Sequence, residues 1–336
     1  MKILSDKILY TAGDNGYCHN RIPGIVALPD GTMLTYWECR MGRNDWSVSE
    51  IGMMKSTDGG RSWTPERYIA SGDGKNTVNN PVMAVFPSGK IVFVWLENYK
   101  RIFCKISTDG GESWTEKREI GDGFEEFRPL YPWTVAATGP GHAIVTSTSR
   151  TTAGRILVPV WLASNPANVF AHHPSVCGTV YSDDEGITWH AGEILPTAAL
   201  ETADPNESCL AETSRGIHIN TRHVSPIRRR LTAISPTGID GWRDLHYDEN
   251  LPDPVCMGGM CSADDVLYVS NCCSEEGRIN VTLSRSADFG ATWDKILLNE
   301  SGGYSDVCVN PKTGTAFVVY ESEKETLIRV AEVALG

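Results

Sequence analysis

Several short stretches of this chain hold residue types that can grip an anion and move a proton. They are His19-Asn-Arg21-Ile-Pro-Gly, Trp37-Glu-Cys-Arg40 with Asp45 five positions on, Asn206-Glu207-Ser-Cys, Asn220-Thr-Arg222, Arg278-Ile-Asn-Val-Thr, Gly-Gly-Tyr304-Ser-Asp and Tyr320-Glu321. The planar fork of arginine bonds a carboxylate at two points. A phenol, with an ordinary pKa of about 10, becomes a nucleophile only beside a base. Carboxylates can supply that base and a general acid. One spacing is informative by itself: Glu207 precedes Arg222 by fifteen residues, which fits a hairpin that returns both to one end of a sheet. Glu212 is a rival carboxylate in the same stretch.

Other candidates are set aside. Arg215, Arg228, Arg229, Arg230 and Arg285 are read as bystanders, because three adjacent arginines on a strand alternate their faces and cannot converge on one point. Gly139-Pro-Gly141 is followed by no Lys-Ser/Thr and so is not a phosphate loop. His172-His173 reads as a surface loop rather than a metal site. The ten cysteines are scattered and read as mostly buried thiols.

The elements that must position these residues are visible as a repeat. Ser56-Thr-Asp-Gly-Gly-Arg-Ser-Trp63, Ser107–Trp114, Ser182–Trp189 and Ser286–Trp293 all fit S-x-D-x-G-x-[ST]-W, and Ser235–Trp242 is a degenerate fifth copy that lacks the aspartate. Their first serines lie 51, 75, 53 and 51 residues apart, a period of about 50 with one insertion of roughly two dozen residues. Each copy carries the chemistry of a tight turn: an aspartate that caps it, a glycine free to take positive φ, and a tryptophan to bury. Apolar or alternating runs such as Lys90-Ile-Val-Phe-Val-Trp and Arg155-Ile-Leu-Val-Pro-Val-Trp flank the copies, and no long helical pattern competes with them. A 50-residue period is that of a four-stranded blade, so the expectation is an all-β, six-bladed β-propeller of four-stranded antiparallel blades, one domain over residues 1–336. Asp58, Asp109, Asp184 and Asp288 read as structural.

With 336 residues, 30 Lys+Arg and 42 Asp+Glu, the chain carries a formal charge of −12. Such a body has no general affinity for nucleic acid, and an anionic ligand needs a local concentration of cations. No apolar run is long enough to cross a membrane as a helix. The opening MKILSDKILYTAGDNGY shows no secretory apolar region, which predicts a cytoplasmic location, or a secreted or periplasmic one if a leader has been removed.

Taken in order, the strings of the opening paragraph, together with Gly139-Pro-Gly-His142, Gly154-Arg-Ile-Leu-Val-Pro159 and the repeated boxes, resemble the sialidase (neuraminidase) family of retaining exo-glycosidases, glycoside hydrolase family 33. That resemblance implies a sialylated glycan or oligosaccharide as substrate and no metal or organic cofactor. It implies that Arg21, Arg222 and Arg278 form a triad on the substrate carboxylate. Tyr304 would be the nucleophile, as the family avoids setting a carboxylate against an anionic sugar. Glu207 would be its base and Asp45 the acid. Arg40 would support the glycone, and Glu321 would hold Arg21 by an ion pair. Trp133 and Trp46 are the guesses for the walls that face the rest of the sugar. Two alternatives stay open at this level: hydrolysis of a related 2-keto sugar acid such as Kdn or Kdo, and a propeller that binds sialoglycans without turnover. Oligomeric state is not legible.

Overall fold

The computed structural model describes residues 1–147 and 152–336. Among them, six antiparallel sheets are arranged as a six-bladed β-propeller. The inner strands are His19–Ala27, Val78–Val85, Val135–Thr138, Ser208–Thr213, Gly259–Ala263 and Ser305–Val309, for blades I to VI. Each inner strand hydrogen-bonds to the second strand of its own blade, and neighbouring blades touch through their inner strands, except that the blade IV inner strand meets blade III at Ile144–Val145 and Ile156–Ala163.

The second strands explain why the sequence reads as it does. Met33–Arg40 in blade I, Ile91–Glu97 in blade II and Ile156–Ala163 in blade III are buried at every position, because blades cover them on both sides. They are therefore nearly continuous apolar runs rather than alternating ones. The apolar side chains sort into six clusters, one at each blade junction. At roughly 25 cal/mol per Å² of apolar surface, these junctions are the main stabilising term of the ring.

The insertion between the second and third boxes has a packing role at the blade II–III junction. Its short helix Asp122–Glu125 buries Phe124, and Phe127 and Trp133 follow it into the same cluster. A two-residue strand, Ile144–Val145, adds a fifth member to blade III.

The ring closes in blade VI, whose outer strand is Lys2–Thr11, paired with Leu327–Ala334 from Lys2↔Ala334 to Thr11↔Leu327. Asp6 fastens it, accepting from Arg329 Nη2 at 2.8 Å and from the Tyr320 hydroxyl at 2.9 Å.

The boxes form the turns between third and fourth strands. The Ser56 hydroxyl donates to Asp58 at 2.8 Å, and Asp58 accepts the Ser62 amide at 2.9 Å and hydroxyl at 2.6 Å. The same pattern recurs at Asp109, Asp184 and Asp288. Gly60, at φ +82°, could carry no side chain, since a Cβ there would lie 2.3 Å from the Phe317 ring. In the degenerate copy the serine keeps its role: Ser235 accepts the Gly238 amide at 2.8 Å, while Thr237 donates to Asp240 at 2.6 Å in place of the missing aspartate. A third strand such as Ser49–Ser56 ends at its box, so the boxes line one rim of the ring, and the turns joining second to third strands line the other.

Candidate active site

The rim opposite the boxes collects the residues singled out above. Arg21 lies near the start of the blade I inner strand, and Glu207 and Tyr304 immediately precede those of blades IV and VI. Arg222 and Glu321 stand at the ends of second strands, while Asp45 and Arg278 sit in the connections from second to third strands. Antiparallel alternation sends all of these positions to one end of the propeller. Arg21, Asp45, Glu207, Arg222, Arg278 and Tyr304 line one cavity there, of about 240 Å³.

The Glu207–Arg222 spacing is indeed a hairpin, formed by Ser208–Thr213 and Gly216–Thr221, and the Arg222 amide donates to the Glu207 carbonyl at 2.8 Å. The Tyr304 hydroxyl donates to Glu207 Oε1 at 2.6 Å, and Arg222 Nη1 donates to the Tyr304 oxygen at 2.7 Å and to the other Glu207 oxygen. Burial pushes the Tyr304 phenol well above its ordinary value, and the nearby Arg222, Arg278 and Arg21 only partly offset this. The phenol is therefore protonated at rest, with a carboxylate placed to take its proton.

The three arginines surround that phenol. The guanidinium carbons of Arg278, Arg21 and Arg222 lie 5.0, 5.1 and 6.0 Å from the Tyr304 ring centroid. Each is paired with its own glutamate. Arg21 Nε donates to Glu321 Oε1 at 2.7 Å, Arg222 bonds Glu207, and Arg278 Nη1 bonds Glu325. Glu325 also reaches Arg21 Nη1 at 3.2 Å, so one carboxylate bridges two of the three cations. Its hydrogen bond from His19, together with the charges of Arg21 and Arg278, outweighs burial and lowers its pKa to about 2. Glu321 does more than pair with Arg21: it also accepts the amides of Ile22 and Tyr304, both at 2.9 Å, and so ties blade I to the segment that presents the phenol.

Asp45 stands across the cavity on an open loop, its side chain half exposed, accepting from Arg40 Nη1 at 2.7 Å. Arg40 is wholly buried, and its Nε donates to Glu38 at 2.7 Å. Burial would raise the Asp45 carboxyl, but the charge and hydrogen bond of Arg40 outweigh it and hold the group below the ordinary aspartate range. Glu38 in turn accepts the Asn80 amide at 2.6 Å, joining the acid loop to blade II.

Other residues fall elsewhere. Glu212, at the far end of the blade IV inner strand, lines a separate opening at the box end of the ring, which separates it from Glu207. Arg230 is fully buried against Asp253 at 3.2 Å, and Arg229 pairs with Glu275 at 2.6 Å. Trp133 is not at the mouth: its indole N–H donates to the Phe124 carbonyl at 3.0 Å in the blade II–III junction. Trp46 is beside the cavity, its ring 4.9 Å from that of Tyr99. Tyr99 and Glu325 carried no signal in the sequence, and Glu38 and Trp161 stood there only inside the strings Trp37–Arg40 and Arg155–Trp161. His172 and His173, read as a surface loop, line the cavity. Among the described residues no group of three or more His, Cys, Asp or Glu is placed to hold a metal ion, and no helix is long and apolar enough to cross a membrane.

A family model described as a BNR repeat-like domain matches residues 69–318. The chain is similar to a sialidase of Micromonospora viridifaciens, 26% identical over 355 residues that cover 95% of this chain and 52% of that protein. A sialidase of Bacteroides fragilis (strain YCH46) is also 26% identical over 355 residues, 93% of this chain and 61% of that protein. The chain thus spans about half to three-fifths of the length of these relatives. Among solved structures, the Hadza microbial sialidase Hz136 superposes with a TM-score of 0.83 at 22% identity, over 98% of this chain and 68% of that one. The intramolecular trans-sialidase of Ruminococcus gnavus, solved with oseltamivir carboxylate, gives 0.76 at 14% identity, over 100% of this chain and 98% of that one. At these identities the superpositions speak for the shared propeller.

Proposed function

We propose a function for a chain that belongs to the BNR repeat-like domain family: it is an exo-sialidase, releasing terminal α-linked sialic acid from glycans with retention, through a covalent bond to Tyr304. The observation that carries this reading is the contact of the Tyr304 hydroxyl with Glu207, inside a ring of three arginines and opposite Asp45. A binder of carboxylates needs the arginines alone; a phenol with its own base and a carboxylic acid across the cavity is the equipment of acyl- or glycosyl-type displacement.

In the first step Arg21, Arg222 and Arg278 hold the sugar carboxylate. Glu207 takes the phenolic proton as the Tyr304 oxygen bonds to the anomeric carbon. The bond from that carbon to the glycosidic oxygen breaks, and protonated Asp45 delivers its proton to the departing oxygen. In the second step a water attacks the same carbon and gives a proton to Asp45, while the tyrosyl oxygen leaves and recovers its proton from Glu207. Two inversions give net retention. Tyrosine suits this task because it is neutral beside an anionic substrate, and the surrounding cations stabilise the phenolate as it forms. Release of fluorophore from a 4-methylumbelliferyl sialoside, with proton NMR showing the α-anomer of the free sugar first, supports the reading. A chain that binds sialosides saturably and releases nothing overturns it.

A further inference from the structure

The junction of blades IV and V is packed unlike the others. Among the described residues, each of the other five junction clusters holds three or more buried aromatic rings, whereas the cluster of Cys209, Ala211, Leu251, Met260, Leu267 and Val269 holds none. With no ring to fill it, this junction keeps a crevice of about 520 Å³, which opens beside the blade V box and shares no residue with the cavity that holds Tyr304. Small-molecule sites commonly enclose about 300–1,000 Å³. The floor of the crevice is apolar, made by Ile219, Ala233, Met260 and Leu267. One wall is a face of blade IV, where polar side chains stand in register. Thr232 is paired with His246 across two strands, their side chains 3.3 Å apart, and His218 on the neighbouring strand meets the Thr213 hydroxyl at 2.9 Å. Desolvation, aided by the charge of Arg215, lowers the pKa of His218 to about 4, so its imidazole is neutral at pH 7.

The facing wall belongs to the blade V box. Trp293 is partly exposed there, and its indole N–H donates to Asp248 at 2.8 Å, which fixes the orientation of the ring. Phe289, also partly exposed, takes φ +62°, where the corresponding positions of three other boxes are Gly59, Gly110 and Glu185 at φ +72°, +70° and +59°. A bulky aromatic residue is strained in that conformation, and such strain gathers at ligand clamps. The Arg215 guanidinium lies 4.7 Å from the Phe289 ring centroid, so this lip ties the box to blade IV. The formal charges around the crevice, Arg215 and Arg243 against Asp244, Asp248 and Asp288, leave no surplus of cations. The crevice is therefore unlike the arginine cluster and is not equipped for an anion. Aromatic faces suit the C–H side of a pyranose, and imidazole, hydroxyl and carboxylate groups suit its hydroxyls. We propose that the crevice is a separate, non-catalytic site for a neutral saccharide, with Phe289 and Trp293 against the sugar ring and Thr232 and His246 on its hydroxyls. The site does not depend on the reaction proposed for Tyr304.

The test follows the Trp293 indole N–H by nitrogen-15 NMR of the full chain, its resonance identified by its loss in Trp293→Phe, as lactose, maltose or cellobiose is added. The expected result is a saturable shift with at least one disaccharide at a Kd of about 1 mM, weakened about fivefold or more in Phe289→Gly and in His246→Ala. Free sialic acid, an anion, is expected to leave that resonance in place. Phe289→Gly relieves the backbone strain, so its Tm is expected close to that of the wild type or above it, which separates lost binding from lost fold. No shift with any of the three disaccharides up to about 20 mM, a shift unmoved by both variants, or an equal shift with sialic acid overturns the proposal. The readout is binding alone, so it stands apart from whether the chain cleaves sialosides.

Discussion

The Tyr304 hydroxyl rests 2.6 Å from Glu207 Oε1, although 97 residues separate them in the chain. Blades IV and VI are not adjacent, so nothing local joins the two residues. They meet because the inner strands of both blades begin at the same mouth of the ring. In the proposed reaction this contact lets a phenol with a strongly raised pKa act at neutral pH, because the proton has somewhere to go as the bond to the sugar forms.

Removing the phenolic oxygen tests this directly. Tyr304→Phe is expected to lower kcat on an aryl sialoside by at least about 10³-fold, while Glu207→Gln lowers it by about 10²- to 10⁴-fold, with KM changing less in both. Thermal unfolding close to wild type in Tyr304→Phe separates lost chemistry from lost fold. A Tyr304→Phe variant with wild-type kcat would sink the mechanism.

Arg40 controls the charge of Asp45, and the sign follows from the geometry. Arg40 holds the Asp45 carboxyl low, while the first step of the proposed reaction needs it protonated, so kcat/KM is expected to fall as pH rises through the Asp45 pKa. Arg40→Gln removes the lowering charge, and the alkaline limb of the kcat/KM profile is expected to move to higher pH; Arg40→Lys, which keeps a charge, moves it less. Arg40→Gln also leaves Glu38 buried without its partner, at a cost of about 3–5 kcal/mol in urea unfolding.

Glu325 pairs with both Arg21 and Arg278, so in the proposed reaction it competes with the substrate for two cations. Glu325→Gln is expected to tighten inhibition by free sialic acid about threefold to tenfold, equivalent to ~1 kcal/mol for a partly exposed ion pair, with the gain shrinking as salt is added. The same substitution has a second readout. With a folded pKa of about 2 against an ordinary 4.5, Glu325 contributes stability above pH 4.5 that is lost as pH falls towards 2. The variant is expected to be less stable than wild type at pH 7, with the difference in Tm closing between pH 4.5 and 2. A constant difference across that window would contradict the pairing.

The contact between the inner strands of blades V and VI is tight enough to test with one methyl group. A Cβ on Gly259 would lie 2.5 Å from the Asp306 Cα and 2.9 Å from the Val307 nitrogen, so backbone must move. Gly259→Ala is expected to cost about 1–3 kcal/mol in urea unfolding. Gly121, at φ −63° with nothing within 4 Å, is the control, and Gly121→Ala should be neutral or slightly stabilising.

The blade period was readable because each box must make the same turn with its own side chains, so its residues recur whatever packs around them. The arginines, Tyr304 and Glu207 were singled out by their motif strings, and the fold brings them to one mouth because they sit at strand ends and in second-to-third-strand connections on one side of the ring. Glu207 was preferred to its rival Glu212 on the Asn-Glu-Ser-Cys string, and five residues of strand separate the two by about 17 Å, from one mouth to the other. Glu325 was not readable. It lies in a turn where Glu323, Lys324 and Glu325 all take positive φ, a conformation that no residue type there announces. His172, Tyr99 and Trp161 come from two different blades and become one wall only when the ring is assembled. Trp133 was misjudged because an indole that anchors a junction and one that faces a ligand look alike in sequence.

Arg21 and Glu321 face each other across the junction of blades I and VI, and blade VI is itself completed by the strand Lys2–Thr11 zipped onto Leu327–Ala334. The cation, the carboxylate that steadies it and the phenol beside it therefore come from the two blades that the earliest and latest strands of the chain build. In the proposed reaction, catalysis depends on blades I and VI being brought together. A chain with five finished blades and an open sixth would be mostly folded yet inert, so turnover, far more than any spectroscopic measure of strand content, reports that the circle has been sealed.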